Sequence, residues 1–287
     1  MNDTTHPPKR GRGRIANLAS AESLDAVWTA IEEGRIEEAL DIAETLTREH
    51  PDDGEAHLAQ AAATYEAGMP DAALEAARRA AQLGVEDQGL QAWYEAAGLV
   101  QLWKLDEARP LLERLVKEDP SFADAWYLLG QVCETAGDQI GARRGYDKAF
   151  ELEPDRFPRP SRIDELELDE VIAQAREDLP EPFQKALEEV PVVVRPLPTY
   201  EMAKSGAPDE PPLPPDLLGL FVGSSNLDRS VFNPVDQPGV IFLFQTNLER
   251  ICPDRETLAE EVRITLWHEL AHYLGFEEED MHRMGLE

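Results

Sequence analysis

The sequence predicts an α-solenoid of helical repeats followed by a small α+β domain. Three observations carry this. Ala39, Ala73, Ala108 and Ala142 recur at intervals of 34, 35 and 34 residues, a period that signals stacked helical units. Three prolines in "EPDRFPRP" then interrupt the helical pattern. Beyond them lie helices, three short apolar runs and one long apolar helix, the order of a compact α+β fold.

The alanines sit in "RIEEALDIAETL", "MPDAALEAARRA", "KLDEARPLLERL" and "QIGARRGYDKAF". Pro51, Pro120 and Pro154 each follow their alanine by 12 residues, and Gly34, Gly68 and Gly137 precede three of the segments at turns. Small side chains let paired helices approach closely. Each unit has an apolar face that it cannot bury alone, so neighbours must stack. The clearest copy, "AWYLLGQVCETAGDQIGARRGYDKAFELEP", opens with Trp126, Leu129 and Gly130. It resembles the tetratricopeptide repeat (TPR), a helix-turn-helix unit of 34 residues. About four copies span residues 20–155. The resemblance implies a concave groove that takes up a peptide or a protein partner.

Residues 1–19, with the basic run "KRGRGR", read as a disordered arm. Residues 156–164 read as a linker or as the cap of the repeats, and the second domain occupies 165–287. "LDEVIAQAREDLPEPFQKALEEV" reads as a helix, a break at Pro180 and Pro182, and a further short helix. "PVVVRP", "LLGLFVG" and "GVIFLFQ" are strand candidates. "LPTYEMAKSGAPDEPPLPPD" is rich in turn residues and reads as a long loop. "DRETLAEEVRITLWHELAHYLG" is a helix of about twenty residues, capped by Asp254 or Thr257 and stopped by Gly275.

Acidic residues outnumber basic ones 58 to 27, for a formal net charge of -31. That charge argues against nucleic acid and anionic membrane as partners. No apolar run approaches the roughly 20 residues that cross a bilayer. The N-terminus carries no apolar segment after its charges, so no secretory signal is expected. Cys133 and Cys252 are too few for a disulfide framework or a cysteine-based zinc cluster. A cytoplasmic protein is the expectation.

The chemistry concentrates in "HELAHYLGFEEED", His268 to Asp280. At 100° per residue, the last helix is apolar over most of its circumference, and His268 and His272 share its narrow polar sector. Buried polar groups need partners. Two imidazoles at i and i+4 project one turn apart and suit adjacent corners of a zinc tetrahedron. Glu269 lies about 100° around the helix, too far for a comfortable ligand and well placed to take a proton from the attacking water. This is the physical content of HExxH; the bland reading is a satisfied pair of core histidines. A third ligand is required, and Glu277, Glu278, Glu279, Asp280 and His282 are all within reach of the sequence pattern.

The stretch resembles HExxHxxGxx[D/E], the motif of a small zincin-like metallopeptidase family of minimal metalloproteases. "ELDEVIAQAREDLPEPFQKALEEVPVVV", "LLGLFVG" and "GVIFLFQTNLERICPDRETLAEEVRITLWHELAHYLGFEEEDMHRMGLE" extend the similarity over about 165–287. The resemblance implies His268, His272 and Glu278 as zinc ligands and Glu269 as the general base of peptide-bond hydrolysis. Glu278 stands where the family usually has Asp, and Arg195 and Phe221 replace an acidic residue and a tyrosine. It also implies "GVIFLFQ" as the edge strand that pairs with an extended substrate. Tyr273 is a candidate oxyanion stabiliser. The competing reading is a non-catalytic interaction scaffold whose metal site is structural or vestigial.

Overall fold

The structure is a computed structural model that describes residues 19–159, 162–204, 211–223 and 239–276. The chain divides into two compact units, Met1–Glu95 and Ala96–Glu287.

In the first unit, α1 (Ala21–Glu32) pairs with α2 (Ile36–Glu49), and α3 (Gly54–Glu66) pairs with α4 (Pro70–Leu83). Ala39 and Ala73 are fully buried, and the helices close over alanine-rich seams such as Ala30, Ala43, Ala56 and Ala59. α5 (Gln88–Gln101) begins in this unit, where Tyr94 stacks edge-on against Tyr65 and Trp93.

The second unit continues the repeat with α6 (Leu105–Glu118), α7 (Ala123–Thr135) and α8 (Gln139–Leu152). Ala108 and Ala142 are buried. α7 and α8 approach so closely that a Cβ on Gly145 would lie 2.7 Å from the backbone of Gly130; glycine is what the contact requires. Pro51, Pro120 and Pro154 each stand two residues beyond a helix end, where proline cannot be asked to continue the helix. After Pro154, Phe157 packs on Tyr127 at 4.8 Å between ring centroids, and Arg156 pairs with Asp124 at 2.6 Å. This segment therefore folds back on α7.

Next come α9 (Glu165–Glu177) and α10 (Glu181–Glu189), separated at Pro180. Asp164 and Glu167 form a capping box at the start of α9. The strands are β1 (Val192–Arg195), β2 (Gly219–Val222) and β3 (Val240–Phe244). Among the described residues the sheet order is β1-β3-β2, parallel between β1 and β3 and antiparallel between β2 and β3. Two short helices were not expected from the sequence. α11 (Tyr200–Ala203) forms within the proline-rich loop because Thr199 accepts the Met202 N–H. α12 (Gln245–Ile251) follows β3 directly.

α13 (Arg255–Leu274) is the central element of this region. Leu258, Val262, Leu266, Leu270 and Tyr273 are fully buried and pack with α9, α10 and the sheet. Asp254 caps its start, accepting the Thr257 N–H at 2.8 Å. That hydrogen bond holds the Asp254 carboxyl below its ordinary range. Gly275 ends the helix in the left-handed region, at φ 85°. No described helix is long and apolar enough to cross a membrane.

A buried polar network joins the last repeat to α12. Glu134 of α7 accepts from Tyr146 Oη at 2.7 Å and pairs with Arg250 at 3.2 Å. Arg250 also donates to Asn247, while Arg162 reaches Glu249 at 2.7 Å and Glu134 at 3.3 Å. Burial pushes the Tyr146 hydroxyl far above its ordinary value.

Gly145→Ala is expected to force α7 and α8 apart and to cost about 1–3 kcal/mol, measured by urea denaturation. Both cysteines are free and buried. Burial raises the Cys133 thiol, and it pushes Cys252 up to about 12 with help from Glu261 and Asp254. A raised pKa leaves both as neutral thiols near neutral pH. Iodoacetamide is expected to label neither in the folded chain and both in denaturant, read by mass spectrometry.

Candidate metal centre

His268 and His272 fall on successive turns of α13, and both rings are partly buried. Their Nε2 atoms lie 3.1 Å apart, with ring centroids at 4.7 Å and planes at 82°. A tetrahedral zinc with Zn–N bonds of about 2.0–2.1 Å sets its ligand nitrogens roughly 3.3 Å apart. The two imidazoles thus fit adjacent corners of such a site. The same separation also suits an N–H···N hydrogen bond between neutral rings. Glu278 lies outside the described residues, as do Glu277, Glu279, Asp280 and His282. Among the described residues, no group of three His, Cys, Asp or Glu side chains could hold a metal ion.

Glu269 turns toward the sheet. It is 7% exposed, and its Oε2 accepts the Phe221 N–H at 2.6 Å. Gly219 makes this approach feasible: a Cβ there would lie 2.6 Å from Thr265 Cγ2 and 2.9 Å from Glu269 Cγ. The backbone pattern explains the Phe221 bond. Phe244 N–H donates to Leu218 O. Antiparallel alternation then points the main chain of Leu220 and Val222 toward β3 and that of Gly219 and Phe221 away from it. Sequence reasoning missed Gly219 and the Phe221 amide as partners of Glu269. The only signal was the glycine in "LLGLFVG", whose partner is remote in sequence.

Two expectations are corrected. β3, which contains most of "GVIFLFQ", is the central strand and not an edge. Its main chain is paired on both sides because β1 adds in parallel after a crossover. Tyr273 is fully buried, and its hydroxyl donates to Glu189 Oε2 at 2.8 Å. On the helix it lies about 140° from His268, directed into the core, with its ring 5.7 Å from that of Phe221. It is not available as an oxyanion stabiliser. The Phe221 ring also closes over Gly239.

Residues 187–286 match the model of the zincin-like metallopeptidase family, and residues 24–87 and 92–155 match that of the tetratricopeptide repeat. No curated protein matches the chain. Among solved structures, the chain is similar to MamA residues 41 to the end from Desulfovibrio magneticus RS-1. Identity there is 22%, covering 46% of this chain and 75% of that one, with a TM-score of 0.40. It is also similar to YrrB, described as a TPR protein with an unusual peptide-binding site. Identity is 24%, covering 46% of this chain and 68% of that one, again with a TM-score of 0.40.

Gly219→Ala is expected to push Glu269 off the Phe221 amide. Hydrogen exchange at that amide should accelerate, while amides in the middle of α13 keep their protection.

Proposed function

We propose, for a chain whose residues 187–286 belong with the zincin-like metallopeptidases and whose residues 24–155 are tetratricopeptide repeats, that it is a zinc-dependent peptidase. His268, His272 and Glu278 would hold the metal. Bound zinc supplies a Lewis acid that polarises the scissile carbonyl and lowers the pKa of the attacking water. Glu269 is the general base: it takes the water's proton and passes it to the leaving amine. The observation that carries this reading is the 3.1 Å approach of the two Nε2 atoms beside a buried glutamate on the same helix. The Phe221 amide fixes the rotamer of that glutamate, so the base is held in place before substrate arrives.

Substrate is a peptide in extended form. The edge strand that meets Glu269 is β2, and substrate pairs with it through the outward main-chain groups other than the Phe221 N–H, which Glu269 holds. The repeats over 20–155 bind a protein or peptide, and 156–164 marks the division from the hydrolytic domain at 165–287. Two buried free thiols suit a reducing cytoplasm.

Zinc analysis of the purified chain is expected to give one ion per molecule. His268→Ala should lose it. Glu269→Gln should retain it while cleavage of a fluorogenic peptide library falls about 10²–10⁴-fold. Equal cleavage by Glu269→Gln and the parent would overturn the reading. Stoichiometric zinc without turnover of any peptide would favour the scaffold.

A further inference from the structure

The four repeat turns share one hydrogen-bonded form. In each, two successive N–H groups return to the preceding helix: Gly34 to Ile31 and Arg35 to Ala30, Gly68 to Tyr65 and Met69 to Thr64, Gly137 to Glu134 and Asp138 to Cys133. In the third turn the same bonds run from Trp103 to Val100 and from Lys104 to Leu99. The glycines have φ of 71°, 67° and 79°; Trp103 has φ 59°. Trp103 is the only non-glycine residue with positive φ among the described residues. Nothing within 4 Å would meet a Cβ on Gly34, Gly68 or Gly137, so at such turns a Cβ is opposed by backbone strain and not by a neighbouring atom. A bulky aromatic held in that region points to a compensating contact made elsewhere.

That contact lies in the C-terminal part of the same compact unit. The Trp103 indole N–H donates to Leu213 O at 2.8 Å, and its ring lies 5.9 Å from that of Tyr200. Leu213 N–H in turn bonds to Ala203 O at 2.9 Å. Asn247 holds the continuation, donating to Pro215 O at 3.0 Å and Leu217 O at 2.6 Å. Six residues beyond Leu213, β2 begins at Gly219, against which Glu269 packs.

We infer that Trp103 is a positioning residue: it clasps the segment leading into β2 and thereby sets where the Phe221 amide holds Glu269. The structural part stands independently of zinc; its consequence for catalysis rests on the peptidase reading. The clasp links the third repeat turn to the general base through Leu213, the segment that Asn247 also holds, and β2.

The test uses the full-length chain. Trp103→Gly restores the residue that the other three turns use, so the turn keeps its backbone and loses only ring and indole. Hydrogen exchange at Leu213 and at Phe221 is expected to rise at least tenfold, while Lys104 retains its protection. Trp103→Phe, which keeps the ring without the N–H, should fall between the two. In the peptidase assay, kcat should drop more than KM changes. Unchanged exchange at Leu213 overturns the clasp. Faster exchange at Leu213 with none at Phe221 overturns the link to Glu269. Loss of protection at Lys104 alone would make Trp103 an ordinary packing residue of the repeat. A chain without peptidase activity would leave the exchange result decisive.

Discussion

Glu134 and Arg250 bury opposite charges where the last repeat meets the C-terminal region, and much of the second unit is organised around that pair. Each side chain is almost fully excluded from water. Removing one partner from such a pair costs about 3–5 kcal/mol, because the other charge is then stranded. The surrounding groups complete the arrangement. Tyr146 and Arg162 serve Glu134, Asn247 serves Arg250, and Gln245 joins Arg162 on Glu249. In a chain with a formal charge of -31, two of its 27 lysines and arginines, Arg162 and Arg250, are committed here. α12 can sit in only one position relative to α7 if all of these partners are to be met.

That placement reaches the candidate centre through short covalent and hydrogen-bonded steps. α12 follows β3 without a loop, and Asn247 fixes the carbonyls of Pro215 and Leu217 just ahead of β2. β2 then presents Gly219 and the Phe221 N–H to Glu269. On the other side, α13 is locked by a leucine seam buried against α9, α10 and the sheet. The general-base candidate is therefore held between a helix that cannot rotate and a strand that is anchored twice. Rigid support of this kind keeps a reacting group near productive geometry.

The repeats were legible because their signal is local and recurrent. Ala39, Ala73, Ala108 and Ala142 each report the same close helix approach, and all four are buried. The strands at 192–195, 219–222 and 240–244 were legible as apolar runs between turn residues. Their order was not. The family resemblance placed "GVIFLFQ" at an edge, and that failed because strand order depends on how a crossover closes, which no local apolar run records. α11 and α12 are too short to show a helical period; a single threonine cap and a buried polar cluster hold them.

The sequence by itself determined the repeat architecture and the juxtaposition of His268, Glu269 and His272, since four-residue spacing on a helix is fixed by backbone geometry alone. It also determined the limits of α13, through Asp254 and Gly275. Only the tertiary structure decided what those side chains face. It turned Tyr273 into the core with its hydroxyl on Glu189, brought the Phe221 amide to Glu269 across 48 residues, and joined Trp103 to Leu213 across 110. Contacts of that range arise from packing and from the need of buried polar groups for partners, and neither is written in the spacing of residues along the chain.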